Sequence, residues 1–371
     1  MNESTLFEIA IVGRGPAAAA ALIALRDAGL SVGVIAPPRT FGDRVGETLS
    51  PAAKAVLKKL GIYDRFLGEG HRAAHTTFSS WGTDQLVERH AILNVEGGGW
   101  YLDRNRFESF LWNRADGVAT SEIDSALAHS QPTESGWLLR SHDRREMSAR
   151  FVIDCSGRPS VFAGRQAKRH RDDTLVAACS FLEQVDTGIE PTAATVIEAR
   201  PDGWWYSALI PDGRLVVCEF TDRDLLDAKL SNNPDAWRRR VEETTWTARR
   251  IESAGFDVSR VPCFATAASV CLEDVAGPNW AAGGDAAAAF DPLSSHGLTT
   301  ALWTGRQSAV AALAALEGDE SALRKYSDDV AAGVLQFQRQ RQRIYSQEKR
   351  FRDQPFWQRR SREERSLDSS R

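Results

Sequence analysis

Glu8-Ile-Ala-Ile-Val-Gly-Arg-Gly-Pro-Ala-Ala18 decides the fold. A short apolar run, residues 8–12, breaks at Gly13. An alanine-rich stretch, 17–25, follows at once and stops before Gly29, and residues 31–35 form a second apolar run. Strand, glycine turn, helix and strand in that order make a βαβ unit with a GxGxxA turn at its first junction. Gly13 permits the tight turn, and Gly15 lets the backbone approach a pyrophosphate. Ala18 keeps the helix close to the sheet. The helix start at Pro16 and Ala17 presents unpaired N–H groups and a positive dipole end to phosphates. A bare tight turn is the alternative, but the strand–turn–helix setting favours a dinucleotide. One feature departs from the pattern: the second strand ends Val34-Ile-Ala-Pro-Pro38, with Ala36 where an acid normally holds the ribose. Arg39 is expected to contact phosphate or adenine instead, with the cofactor held more loosely.

The rest of the chain narrows the class. Its 371 residues, 42% hydrophobic and 26% charged, suit a globular protein of two connected domains. No apolar run reaches the roughly 20 residues of a bilayer span. Residues 1–7 lack the basic and apolar regions of a secretory signal, so a cytoplasmic protein without membrane attachment is expected. The five cysteines are scattered and form no CxxC pair, suggesting neither a zinc site nor a disulfide framework but small core residues. The seven histidines show no ligand spacing, and no metal is assigned. Residues 339–371 carry 11 Lys/Arg against 5 Asp/Glu within a net charge of −4. Basic residues alternating with glutamines there read as a solvated helix face rather than a nucleic-acid surface.

Two later segments repeat the strand-into-small-turn form. Arg150-Phe-Val-Ile-Asp-Cys-Ser-Gly157 offers Asp154, Ser156 and Gly157. Asn279-Trp-Ala-Ala-Gly-Gly-Asp285 offers Gly284 and Asp285, then runs through Phe290-Asp-Pro-Leu-Ser-Ser-His-Gly297 into a second alanine-rich helix. In a doubly wound sheet the three strand ends converge on one crevice. Asp285 is placed to bind a ribityl hydroxyl. The helix beginning near Gly297 can aim its positive end at the electron-rich edge of a reduced isoalloxazine. These segments point to FAD. The expected fold class is α/β: a Rossmann-type FAD-binding domain (1–70, 100–173, 267–312), an interleaved mixed β-sheet substrate domain (71–99, 174–266) and C-terminal helices (313–360). Residues 361–371 are expected to be disordered.

The arrangement resembles glutathione-reductase-like FAD proteins, which include aromatic hydroxylases, tryptophan halogenases and geranylgeranyl reductases. Val45-Gly-Glu-Thr-Leu-Ser-Pro51 is similar to the halogenase GExxxP segment, which implies flavin contacts for Glu47 and Thr48. Trp100-Tyr-Leu-Asp-Arg-Asn-Arg-Phe107 is similar to a helix start whose arginine lies near FAD, here Arg106. Residues 289–297 are similar to the halogenase flavin loop, implying contacts from Pro292, Gly297 and Leu298. The departures concern halogenation itself. The halogenase lysine would fall in Gly70-His-Arg-Ala-Ala-His-Thr-Thr77, which has none, and Ser294 and His296 replace a glutamate and a threonine. Ser156-Gly157 also alters the Asp-Gly pair by which many hydroxylases hold NADPH, so NAD(P)H or a separate reductase is the expected electron donor. The nearest resemblance is to flavoprotein monooxygenases of tryptophylquinone maturation, through Gly203-Trp-Trp-Tyr-Ser207, the His296-Gly297 loop and the tail at residues 348–360.

That resemblance implies a monooxygenase using O2 to hydroxylate an aromatic, tryptophan-like side chain on a protein or peptide precursor. A halogenase with an altered site, or a flavoprotein that binds a precursor without turnover, are the alternatives. Trp204, Trp205 and Tyr206 form a candidate substrate wall, although an aromatic cluster reads as readily as sheet core. Ser294 is expected at the substrate. His296 is the candidate proton donor or base, with helix capping as the other reading. His71 and Arg72, standing where the halogenase lysine would, are candidate substrate contacts.

Overall fold

The computed structural model describes residues 6–91 and 97–368, with side chains through residue 361. Leu6–Val12 lies between Glu146–Asp154 and Val32–Ala36, parallel to both. Trp280–Ala282 extends the sheet on one side and Ser121–Asp124 on the other, also in parallel. The central strands are apolar at nearly every position because they are buried along their length. Register sets Val12 beside Asp154, and Asp154 beside Ala282. The three strand ends, each followed by its small-residue turn, therefore stand side by side.

Helices Pro16–Leu25 and Gly297–Leu316 pack together behind these turns. Their small residues are what permit this. A Cβ at Gly305 would meet the Ala17 carbonyl oxygen at 2.2 Å, so the contact is backbone against backbone.

A second, seven-stranded sheet runs in the order Cys263–Thr266, Leu175–Leu182, Leu215–Asp222, Gly203–Leu209, Thr195–Arg200, Thr76–Ser80, Val87–His90. Alternation along Gly203–Leu209 turns Trp205 to one face, where it stacks on Trp237 of helix Pro234–Glu242 at 5.3 Å. Trp204 and Tyr206 face the other way. Directly opposed Cys179 and Cys218 form a disulfide between neighbouring strands, which corrects the expectation of unbridged core cysteines. Their 39-residue separation becomes adjacency only through strand register.

The C-terminal helices Ser321–Tyr345 and Pro355–Asp368 leave Arg339, Arg343 and Arg359 exposed and turn two arginines inward. Arg341 is 5% exposed and pairs with Asp173 at 2.9 Å and Asp291 at 3.4 Å. Arg360 is 4% exposed and pairs with Asp222, and Arg359 bridges Asp222 and Asp224. The final helix continues to Asp368, into the stretch expected to be disordered, while residues 369–371 lie outside the described residues. Among the described residues no helix is long and apolar enough to cross a membrane.

Candidate active site

The three small-residue turns and the second sheet enclose a cavity of about 520 Å³. Gly15, Pro16 and Ala17 form one end, with Gly157, Gly284 and Asp285 beside them. Pro292, Gly297 and Leu298 line the approach to the second helix. Glu47, Thr48, Trp204 and Tyr206 complete the set of expected residues that reach it. Gly13 forms the tight turn beneath, at φ +118°, where a Cβ would meet the Cys155 carbonyl oxygen at 2.3 Å. Ala18 is buried in the helix that the turn opens.

The substrate-sheet wall is aromatic. Trp204 stacks on Phe220 at 4.1 Å, and its indole N–H donates to the Tyr345 hydroxyl at 3.1 Å. Tyr206 and Thr48 share a hydrogen bond of 2.7 Å between hydroxyls. Burial, with the Glu47 carboxylate adding, pushes the Tyr206 phenol well above its ordinary range, so it remains a neutral hydrogen-bonding group. Burial likewise pushes the Asp285 carboxyl up, opposed by Arg158, whose guanidinium lies 3.3 Å away.

Several expected residues are elsewhere. Asp154 spends its carboxylate on the backbone, accepting from the N–H groups of Ser156, Phe162 and Ala163 at 2.7–2.9 Å. It holds the turn rather than touching the cavity. The Ser156 hydroxyl accepts from the Val161 N–H. Arg106 points to Glu69 at 3.2 Å, while Arg104 lines the cavity, donating to the carbonyls of Val45 and Gly46 and pairing with Glu108. Residues two apart on a helix point in nearly opposite directions, so one of these arginines had to face away. Arg39 reaches Ser109 at 3.2 Å and lies over Phe41, clear of the cavity lining. Trp205, Ser294, His71 and Arg72 are not among the lining residues.

His71 packs against Phe66 and Phe107, and neither ring nitrogen has a hydrogen-bond partner among the described residues. Burial first, then Arg106, lowers it from 6.5 to about 4. The folded protein thus keeps the ring neutral while the unfolded chain protonates it. The resulting stability is fully present above pH 6.5 and is lost as pH falls toward 4. His71→Leu is expected to flatten the fall in melting temperature across that window. An identical slope in wild type and variant would remove His71 as its cause.

Sequence reasoning also missed Arg158, Phe220 and Asp291, all of which line the cavity. Arg158 follows Gly157 directly, a signal that was available. Phe220 and Asp291 depend on tertiary placement.

His296 sits just outside the lining, between the lining residues Ser295 and Gly297. Its side chain makes no capping hydrogen bond to the helix it precedes. Its Nδ1 lies 2.9 Å from the Ser294 carbonyl oxygen.

The chain matches the tryptophan halogenase family over residues 87–370. It belongs to that family. Membership makes it an FAD-dependent oxidoreductase, in keeping with the three turns. Within this breadth it is similar to LodB of Marinomonas mediterranea, named as an FAD-dependent oxidoreductase, at 26% identity over 95% of this chain and 96% of LodB. A brominase of Pseudoalteromonas luteoviolacea that acts on pyrrole-2-carbonyl-peptidyl-carrier protein is 22% identical over 86% of this chain and 80% of its own. Among solved structures, the myxobacterial chondrochloren halogenase CndH superposes with TM-score 0.84 at 19% identity, covering 98% of this chain and 88% of its own. QhpG, a peptidyl tryptophan dihydroxylase essential for tryptophylquinone cofactor biogenesis, superposes with TM-score 0.74 at 24% identity, covering 96% and 79%. These likenesses establish the family's fold.

The cavity fits FAD on its own geometry. A Cβ at Gly15 or at Gly297 would meet no protein atom within 4 Å, although both residues line the cavity. Open volume therefore lies directly in front of two helix N-termini. One suits a pyrophosphate and the other an electron-rich ring edge.

Proposed function

We propose that this protein is an FAD-dependent monooxygenase that hydroxylates a tryptophan side chain of a protein or peptide precursor during tryptophylquinone cofactor formation. The observation that carries this reading is the cavity wall: Trp204, Phe220 and Tyr206 make it aromatic, and the cations lining the cavity are Arg104 and Arg158, with no lysine among the described lining residues. An aromatic wall suits an indole. The similarity to QhpG supports the peptide substrate and the quinone pathway.

The chemistry a bound, reduced FAD supplies is the activation of O2 for oxygen transfer to an electron-rich ring. NAD(P)H or a separate reductase serves as electron donor. The chain's own residues do the rest. The backbone from Gly15 to Ala18 would hold the pyrophosphate, Asp285 would accept from a ribityl hydroxyl, and Gly297 and Leu298 would hold the flavin. Trp204 and Tyr206 orient the substrate ring and keep water from it. His296 donates or accepts the proton.

Product analysis tests this directly. The protein, loaded with FAD and supplied with reductant and O2, is given a tryptophan-containing precursor peptide or free tryptophan, with chloride and bromide present. Mass spectrometry should find one or two added oxygen atoms on the peptide. Halogen incorporation would overturn the reading in favour of a halogenase, the activity carried by several relatives. Efficient turnover of free tryptophan would overturn the assignment of a peptide substrate.

A further inference from the structure

Two rows of side chains cross the seven-stranded sheet on its cavity face. In the first, register pairs Ala265 with Ala177, Ala177 with Phe220 and Phe220 with Trp204, and all four line the cavity. The neighbouring row pairs Cys263 with Cys179, Cys179 with Cys218 and Cys218 with Tyr206. Directly opposed residues of antiparallel strands project from the same face, so three cysteine side chains lie in one line there. Cys218 and Tyr206 line the cavity. Cys179 is bonded to Cys218, with Cα atoms 4.1 Å apart. Cys263, on the edge strand, is an exposed free thiol. Opposed residues on paired strands lie within the Cα separation a disulfide spans, so Cys179 can bond to either neighbour but not to both.

We propose that Cys263, Cys179 and Cys218 form a thiol–disulfide exchange site that takes two electrons from an external dithiol at the sheet edge and delivers them to the cavity wall. The Cys263 thiolate attacks Sγ of Cys179. The Cys179–Cys218 bond breaks, a Cys179–Cys263 bond forms, and Cys218 leaves as a thiolate that takes up a proton. The external dithiol then attacks Cys263 at the exposed edge and forms a mixed disulfide, and Cys179 leaves and is protonated. The donor's second thiol closes on its own sulfur and releases Cys263. In sum the donor is oxidised to its disulfide, and the Cys179–Cys218 bridge becomes two thiols. Burial first, and Asp43 in addition, push the Cys263 thiol up. A small thiolate fraction slows its attack on the bridge. Nothing in this exchange depends on the hydroxylation reading.

The test follows the sulfur atoms themselves. The full-length protein is pulsed with dithiothreitol, quenched in acid, alkylated with N-ethylmaleimide and mapped by peptide mass spectrometry. In wild type a Cys179–Cys263 bridge should rise and fall before both Cys179 and Cys218 appear as thiols, a readout that needs no substitution. Cys263→Ser should slow reduction of the remaining bridge about 10-fold, because the donor loses its edge entry. Cys218→Ser should carry a Cys179–Cys263 bridge after air oxidation. Wild-type reduction kinetics in Cys263→Ser, or Cys179 and Cys263 both remaining thiols in oxidised Cys218→Ser, would overturn the relay.

Discussion

Gly15→Val is expected to yield a folded protein that no longer holds FAD. The backbone at Gly15, φ −87° and ψ −174°, is open to any residue, and a Cβ there meets no protein atom within 4 Å. The added isopropyl group therefore strains nothing in the protein. It fills the volume before helix Pro16–Leu25, where phosphate oxygens must approach backbone N–H groups. Each hydrogen bond to a charged group contributes about 1.5–3 kcal/mol, so losing two weakens FAD by about 10²–10⁴-fold. Gly13→Val makes the control. Its Cβ would sit 2.3 Å from the Cys155 carbonyl oxygen at φ +118°, so that variant should lose stability instead. FAD titration and a melting curve of the apoprotein separate the two. A Gly15→Val protein with wild-type FAD affinity would remove this turn from the cofactor site.

The contrast between those glycines also shows what kind of information was legible in the chain. Each glycine turn announces itself locally, because backbone geometry at a strand-to-helix junction demands small residues whatever the rest of the protein does. Asp285, Gly157 and Gly297 could be found for the same reason. Residues that reach the cavity by facing it could not. Trp204 and Trp205 are adjacent and equally aromatic, and only the sheet's placement between cavity and helix Pro234–Glu242 decides which one lines the site. Arg104 and Arg106 present the same choice on a helix, decided by where the Val45–Gly46 carbonyls lie. Asp154 misled through chemistry. A carboxylate at a strand end can hold a ligand or its own turn, and three backbone N–H donors show that this one does the latter. The burial of Arg341 in the basic tail was not legible, since its partners lie 168 and 50 residues away in sequence.

His296→Ala is expected to lower product formation by about 10²–10⁴-fold, the effect of losing a positioned proton donor or base. The Ser294 carbonyl oxygen 2.9 Å from Nδ1 can only accept. In the neutral ring Nδ1 therefore carries the hydrogen and Nε2 the lone pair. A backbone contact thus sets the tautomer before any substrate arrives. The neighbours Ser295 and Gly297 both line the cavity, which puts the His296 backbone at its edge. Ser295, at φ +53°, sits in the left-handed region and turns the chain into the helix. Capping would have been the competing explanation for a histidine at this position. The side chain makes no capping hydrogen bond, so removing it should leave helix Gly297–Leu316 formed, with only a small fall in melting temperature from the lost Ser294 contact. FAD affinity and the rate of flavin reduction should also hold, because neither depends on the imidazole. Single-turnover product formation, measured beside those two quantities, isolates the proton-transfer role. Added imidazole should restore part of the lost rate, which no structural role would allow. An alanine variant that turns over at the wild-type rate would move the proton to another group at the cavity, with Tyr206 and its Glu47 neighbour the next pair to replace.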